Sequence, residues 1–364
     1  MSARRLVDEP VPLSKVRKRR HIRADTKPPA HAKIALARFW LVDRTRPTLT
    51  RRETGPAAFT IEVPFGTVVA PRSRIRVEAL DSKKTKRIDG IEAGAGPGWI
   101  PRHLAVNFAP PRTSRPPREQ RGEGERGFNG VFPPDERQLL QNRSYPWCTV
   151  GRVDTPGGGG TGTMVGRRLM LMASHSAVRK NGQLQPIEFT PAYFDGPNTF
   201  GAAWAERIIY WKAIDGSAQI TDDLTAFDYA VAVLDLPIGL LTGYVGYRTY
   251  DANWNTQKVL QHVGYPTDLA KFERPYWTEG TIHSAVSHSF KSQTGYVMGH
   301  VVDTAPGHSG GPFWAWFNEE RFPRLVALDS TGINTPRPDT SSDNEAGGGP
   351  ALSKLISYAR QKYP

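Results

Sequence analysis

The chain has 364 residues, 38% of them hydrophobic and 10% aromatic, with 35 glycines and 31 prolines. That is enough apolar material for a sizeable core, and the content of turn-forming residues favours many short strands over long helices. A single cysteine, Cys148, excludes internal disulfides, and no apolar run approaches the roughly 20 residues of a membrane-spanning helix, so a soluble protein is expected.

The net charge of +13 is unevenly placed: residues 1–150 hold 30 Lys and Arg against 15 Asp and Glu, a net +15, while the remainder holds 18 against 20, a net −2. The start, Met1-Ser-Ala-Arg-Arg, has no apolar core of a signal peptide, so none is expected there. Residues 1–35 carry the run Lys15-Val-Arg-Lys-Arg-Arg20 among prolines and read as a solvated, disordered arm. Such a run can meet nucleic acid, but no aromatic platform or recognition motif accompanies it, so nucleic acid is not the expected partner. Residues 36–110 contain strand-like pieces at 58–64, 73–80 and 104–108, enough for a small β-rich unit. The Pro/Arg and Gly/Glu/Arg stretch 109–127 reads as a linker.

From about residue 128 the character changes. Short apolar runs recur at 146–153, 161–173, 205–211, 228–235, 257–264, 276–283, 296–303 and 324–329, with Gly, Pro and Asn between them. This pattern predicts an all-β sandwich or barrel. Residues 350–361 place apolar side chains at 352, 355, 356 and 359, the spacing of a C-terminal amphipathic helix. Gly157–Gly160 with Gly162 lacks the Gly-Lys-Ser/Thr of a phosphate loop and reads as a flexible turn. Two domains are expected: a basic extension over 1–127 and a β-domain over 128–364.

The segment Asp303-Thr-Ala-Pro-Gly-His-Ser-Gly-Gly-Pro312 sets a serine in a glycine-rich turn. Glycines let backbone N–H groups converge beside the Ser309 hydroxyl, which is what acyl transfer needs: a nucleophile and donors for the oxyanion. Of nine histidines, His262, His283, His288 and His300 sit in or beside strands and read as structural. His308 adjoins the serine, and neighbours on a tight turn diverge. His175 closes a strand–turn–strand segment behind the small residues Ala173 and Ser174, so it can project into a cleft as general base. Asp228 opens the apolar strand Asp228-Tyr-Ala-Val-Ala-Val-Leu-Asp235. A carboxylate there needs a partner, and a histidine N–H supplies one. Asp222 and Asp223, in a polar loop, are weaker competitors.

The order His175, Asp228, Ser309, within Ser-His-Ser-Ala, Asp-Tyr-Ala-Val and Gly-His-Ser-Gly-Gly-Pro, resembles the chymotrypsin/trypsin-like serine peptidases. Asp135-Glu-Arg137, Tyr145-Pro-Trp147, Phe189-Thr-Pro191, Phe200-Gly201 and Val263-Gly-Tyr-Pro266 are similar to the glutamyl-endopeptidase-like branch. The resemblance covers roughly 128–364. It implies two antiparallel six-stranded β-barrels, the first presenting His175 and Asp228 and the second Ser309. It implies an oxyanion hole from the N–H groups of Gly307 and Ser309, peptide substrates, no cofactor or metal, and an extracellular enzyme. His308 stands where the family usually has the aspartate that pairs with a newly freed N-terminus. Asp303, Thr304, Asp329, Ser330 and Gly332 fall where the pocket for the residue before the scissile bond is lined. Asp303 and Asp329 together favour cleavage after Arg or Lys, with cleavage after Glu as the alternative. Residues 1–127 are then a pro-segment or accessory unit docked by charge.

Overall fold

The apolar runs after residue 128 become strands because each has a face to bury, and in several cases both faces. The computed structural model describes residues 9–16, 75–80, 88, 90–102, 104–108, 130–132, 134–196, 199–317, 320–332 and 343–364, with the backbone of three short strands, Ala37–Trp40, Arg52–Glu53 and Phe59–Pro64. Those three form a small sheet of their own where the sequence predicts a β-rich unit. Most of the basic arm, residues 17–36, and the linker 109–127 lie outside the described residues.

Six strands make the first barrel, in the neighbour order Glu188–Pro191, Val150–Thr155, Gly158–Met164, Leu169–Met172, Ala230–Leu234 and Ala203–Tyr210. Pairing of Glu188 with Trp204 closes it. Leu169–Met172 and Ala230–Leu234 are buried at every position. Met170, Met172, Ala230, Ala232 and Leu234 pack inside the barrel. Leu169, Leu171, Val231 and Val233 face outward and join Leu352, Leu355, Ile356 and Ala359 of the helix Pro350–Lys362. Covering both faces is why these strands read as unbroken apolar runs rather than as alternation.

The second barrel has the order Tyr276–Gly280, Leu260–Gly264, Pro312–Phe317, Arg324–Thr331, Asn344–Gly348 and Gln293–His300, closed by the single bridge Ile282↔His300. Pro312–Phe317 is buried throughout. Its tryptophans Trp314 and Trp316 meet Trp147 at ring-centroid distances of 5.8 and 6.5 Å, and Phe313 and Phe317 pack with Met298, Val326 and Ala346 on the other side. The two-barrel, all-β architecture with a C-terminal helix is thus the one expected.

The N-terminal part behaves differently from the expectation of a separate basic unit. Arg76–Ala79 adds a parallel strand to Ala203–Tyr210 of the first barrel. Its Glu78 accepts from Tyr363 Oη at 2.6 Å and also from Tyr358 Oη and Lys362 Nζ of the C-terminal helix. Ile88, Ile91, Ile100 and Phe108 are buried in the same cluster as Trp147, Trp314 and Trp316. The Trp147 indole N–H donates to Asn107 O at 2.7 Å. Residues 9–16 dock on the second barrel: Pro10–Val11 pairs with Trp316 and Phe317, and Leu13 and Val16 of the turn that follows are 2% and 1% exposed. The +15 of residues 1–150 marks a change in surface composition, whereas the described residues before 109 are seated by apolar packing.

Two further differences concern strands. Glu188–Pro191 and Asn344–Gly348 are strands that the apolar pattern leaves unmarked. Gly158–Gly160 belongs to a strand and not to a flexible turn; the turn itself is Gly157, at φ +91°. The glycines are there for close approach: a Cβ on Gly160 would lie 2.8 Å from Ser309 O, and one on Gly162 would lie 2.9 Å from Val153 Cγ2.

Candidate active site

The first barrel delivers a histidine and a carboxylate to one point. His175 follows the strand Leu169–Met172, and Asp228 precedes the adjacent strand Ala230–Leu234. Asp228 is fully buried and accepts three hydrogen bonds: Oδ1 from His175 N at 2.9 Å, Oδ2 from His175 Nδ1 at 2.5 Å and from Ser330 Oγ at 2.6 Å. Burial raises its pKa, but His175 and these donors outweigh burial and hold the carboxyl below the usual range. Burial also opposes charge on His175, yet the carboxylates of Asp228 and Asp329 win and lift the imidazole above its usual 6.5. Nδ1 as donor leaves Nε2 as the basic atom. Gly216 lies against the ring, where a Cβ would be 3.3 Å from His175 Cδ2.

The second barrel delivers Ser309. Ser309 Oγ donates to Ser330 O at 3.4 Å, so Ser330 touches both Ser309 through its carbonyl and Asp228 through its hydroxyl. The serine loop is clamped from the first barrel: Thr161 N donates to Ser309 O at 2.8 Å and Thr161 Oγ1 to Gly307 O at 2.8 Å. Gly307 has φ +99°, and a Cβ there would run into Tyr265 O, so only glycine fits. Around it, His308 N is taken by Ala305 O, Gly310 N by Asp329 O and Gly311 N by His308 O. Among the described residues no acceptor takes the N–H of Gly307 or Ser309. Two unspent donors flanking one hydroxyl are what a developing oxyanion requires.

Between those donors, the His308 side chain turns into the protein. Its Nδ1 lies 2.8 Å from His262 Nε2, edge to edge, with ring centroids 5.0 Å apart and planes inclined by 21°. Both are fully buried. Desolvation dominates both: it lowers His262 to about 4 and His308 well below the usual range, where unfavourable interactions with His262 and the Arg137 guanidinium add to it. Two bases depressed by folding bind fewer protons folded than unfolded, so stability is full above about pH 6.5 and falls as pH drops toward 4. His262 alone accounts for a loss on the order of 3 kcal/mol across that window, readable as a falling urea midpoint between pH 6.5 and 4.

The residues expected to line the pocket are distributed as follows. Thr304 is buried, and its N–H donates to Gly130 O at 2.9 Å. Gly332 follows the strand Arg324–Thr331 that carries Asp329 and Ser330, and Ser330 serves Asp228. Asp303 is 3% exposed, with Oδ1 accepting from Phe132 N and Oδ2 from Glu136 N, both at 2.7 Å. Asp329 is also 3% exposed and faces His300 Nε2 at 3.3 Å. Both oxygens of Asp303 are spent on backbone N–H groups, whereas Asp329 Oδ1, 3.3 Å from His300 Nε2, has no hydrogen-bond partner among the described residues.

The segment that occupies Asp303 is itself locked by charge. Arg137 is 2% exposed and forks to Asp135 at 2.9 Å and to Asp268 at 2.6 Å. Burial works against its charge, but the bonds to Asp268 and Asp135 overcome it and raise its pKa. Replacing Arg137 with methionine keeps the volume and leaves Asp268 buried without its counter-charge. The expected cost is about 3–5 kcal/mol, measured by urea unfolding.

Thr161 and Gly160 are not visible as motifs, and Ser330, expected to line the pocket, also reaches Asp228. Each acts through a contact more than a hundred residues away in sequence; Ser330, 102 residues from Asp228, also lies 21 from Ser309. Compared with known proteins, the chain matches no family model and no curated sequence. Solved structures that align with it include a Glu endopeptidase, at 19% identity over 64% of this chain and 99% of that one, with a TM-score of 0.49. A thermostable serine protease from an extremophilic microorganism aligns at 16% identity over 59% and 98%, with a TM-score of 0.43. The protease Anisep from Arthrobacter nicotinovorans aligns at 18% identity over 59% and 97%, with a TM-score of 0.41.

Proposed function

We propose that this chain is a serine endopeptidase working through Ser309, His175 and Asp228. The observation that carries the reading is one site combining an imidazole held by a buried carboxylate with a hydroxyl flanked by two unspent N–H donors. Any one of these occurs for structural reasons; their convergence at the join of two barrels is what acyl transfer demands.

The steps follow from the atoms. Ser309 Oγ turns from Ser330 O toward His175 Nε2 and attacks the peptide carbonyl as Nε2 takes its proton. Asp228 stabilises the resulting imidazolium through Nδ1. The tetrahedral oxyanion is received by Gly307 N and Ser309 N. Collapse expels the amine, which takes the proton from Nε2, and leaves an acyl ester on Ser309. Water, deprotonated by Nε2, attacks that ester, and Ser309 recovers its proton as the acid departs. All charge that appears is met by groups already in place, which is where the rate enhancement arises.

A serine-reactive aryl phosphonate tests the reading. It should label Ser309 stoichiometrically, and His175→Ala should abolish labelling. A folded sample that stays unlabelled overturns the proposal.

A further inference from the structure

We infer that His262 and His308 are positioning residues: an uncharged, buried imidazole pair that pins the serine loop so that the N–H groups of Gly307 and Ser309 converge on one point. The inference rests on the acyl-transfer reading of that loop and adds how its oxyanion hole is held.

Hydrogen-bond direction fixes the pair's state. His262 Nδ1 lies 3.2 Å from Pro312 O, which can only accept, so Nδ1 carries the hydrogen and Nε2 of the neutral ring is a bare acceptor. His308 Nδ1 must then donate to it across 2.8 Å. A directional chain results: His308 Nδ1–H to His262 Nε2, then His262 Nδ1–H to Pro312 O. It starts and ends in the same loop, one residue before Ser309 and three after it. His262 lies on the strand Leu260–Gly264, which backs that loop.

Space has been cleared for both rings. A Cβ on Gly264 would lie 2.6 Å from His308 Nδ1 and 3.1 Å from His308 Cα. A Cβ on Gly311 would lie 2.7 Å from His262 Cε1. Phe313 stacks on His262 at 4.7 Å between ring centroids. An aliphatic filler would pack as well as histidine in such a pocket. Only a donor–acceptor pair ties residues 308 and 312 to one strand and thereby fixes the turn between them.

The pinning needs no formal charge. Among the described residues His308 makes no ion pair; its ring bonds to a neutral imidazole. With Thr161 holding Gly307 O and Ser309 O from the first barrel, the loop is fixed from two sides. The hole therefore exists in the uncleaved chain and does not wait for a new N-terminus to supply a counter-charge.

The test uses the full-length, uncleaved protein with His262→Phe and His262→Gln. Phenylalanine fills the volume but accepts nothing; glutamine offers Oε1 to His308 Nδ1–H. The expected result is a fall in kcat of about 10²–10³-fold for His262→Phe, the scale of one lost oxyanion donor, with KM within about threefold. His262→Gln should stay within about tenfold of the parent. Binding of a peptide aldehyde, whose adduct places an oxygen in the hole, should weaken in parallel with kcat, whereas a product peptide should bind all three proteins alike. Equal losses in both variants, or an unaltered kcat in His262→Phe, overturn the inference. A second readout is independent of turnover: imidazole nitrogen NMR of the parent should report His308 protonated at Nδ1 and bare at Nε2 down to about pH 5. The opposite tautomer, or a charged ring, overturns the inference even if peptides are cleaved. Conversely, the expected tautomers in a protein that no phosphonate labels would leave the pair in place and remove the peptidase reading.

Discussion

Replacing Asp228 with asparagine is expected to lower kcat/KM on a peptide substrate by about 10⁴-fold while the protein still folds. Asparagine has the same shape, so the effect tests chemistry and not packing. Its amide oxygen must take the Oδ1 position, because His175 N is a backbone donor that cannot turn away. The NH₂ then falls at Oδ2, facing His175 Nδ1. Two donors cannot face each other, so the imidazole moves its hydrogen to Nε2 and can no longer take the proton of Ser309. The Ser330 hydroxyl, which donates to Oδ2 at 2.6 Å, loses its acceptor as well. The pH profile offers a second check. In the parent, the acid limb of kcat/KM should lie above pH 6.5, because Asp228 raises His175 and catalysis needs the neutral ring. In the asparagine variant the residual activity should extend to lower pH, since that attraction is gone. Activity within tenfold of the parent would mean that Asp228 is only a structural carboxylate.

The three residues in that argument were legible in the sequence because each sits in a local pattern: a histidine behind small residues, an aspartate opening an apolar strand, a serine among glycines. What supports them was not. Ser330 is one polar residue in the strand Arg324–Thr331, and nothing local says that its hydroxyl reaches Asp228 across the join of the barrels. Gly158–Gly160 has the composition of a turn, and the approach of Phe272 to Gly159 and of Ser309 O to Gly160 explains why the strand there lacks side chains. Asp303 shows the opposite failure: a carboxylate at a suggestive offset from the serine is satisfied by Phe132 N and Glu136 N, donors that sequence spacing cannot reveal. Barrels were readable because strands alternate or run apolar. Closure of the second through one bridge, Ile282↔His300, was not.

The N-terminal part gives the second large effect. The polypeptide 130–364 produced alone is expected to be insoluble, or compact without fixed packing, retaining far-ultraviolet dichroism and losing the near-ultraviolet signal of its tryptophans. Leu13, Val16, Ile88, Ile100 and Phe108 are each no more than 6% exposed and share one cluster with Trp147, Trp314 and Trp316. At roughly 2 kcal/mol per buried side chain, their loss alone removes about 10 kcal/mol, as much as the whole stability of an ordinary domain. Polar anchors go with them: Asn107 O for the Trp147 indole, Glu78 for the end of the C-terminal helix, and Gly96 O for the buried side of Arg324. Sparse apolar residues without periodicity, set among many arginines, hide this role in the sequence. Cutting the chain within 109–129 should then leave both pieces together on a sizing column, separating only in denaturant. A pro-segment released by processing predicts the reverse: 130–364 folding alone with the stability of the full chain, and residues 1–108 diffusing away after the cut.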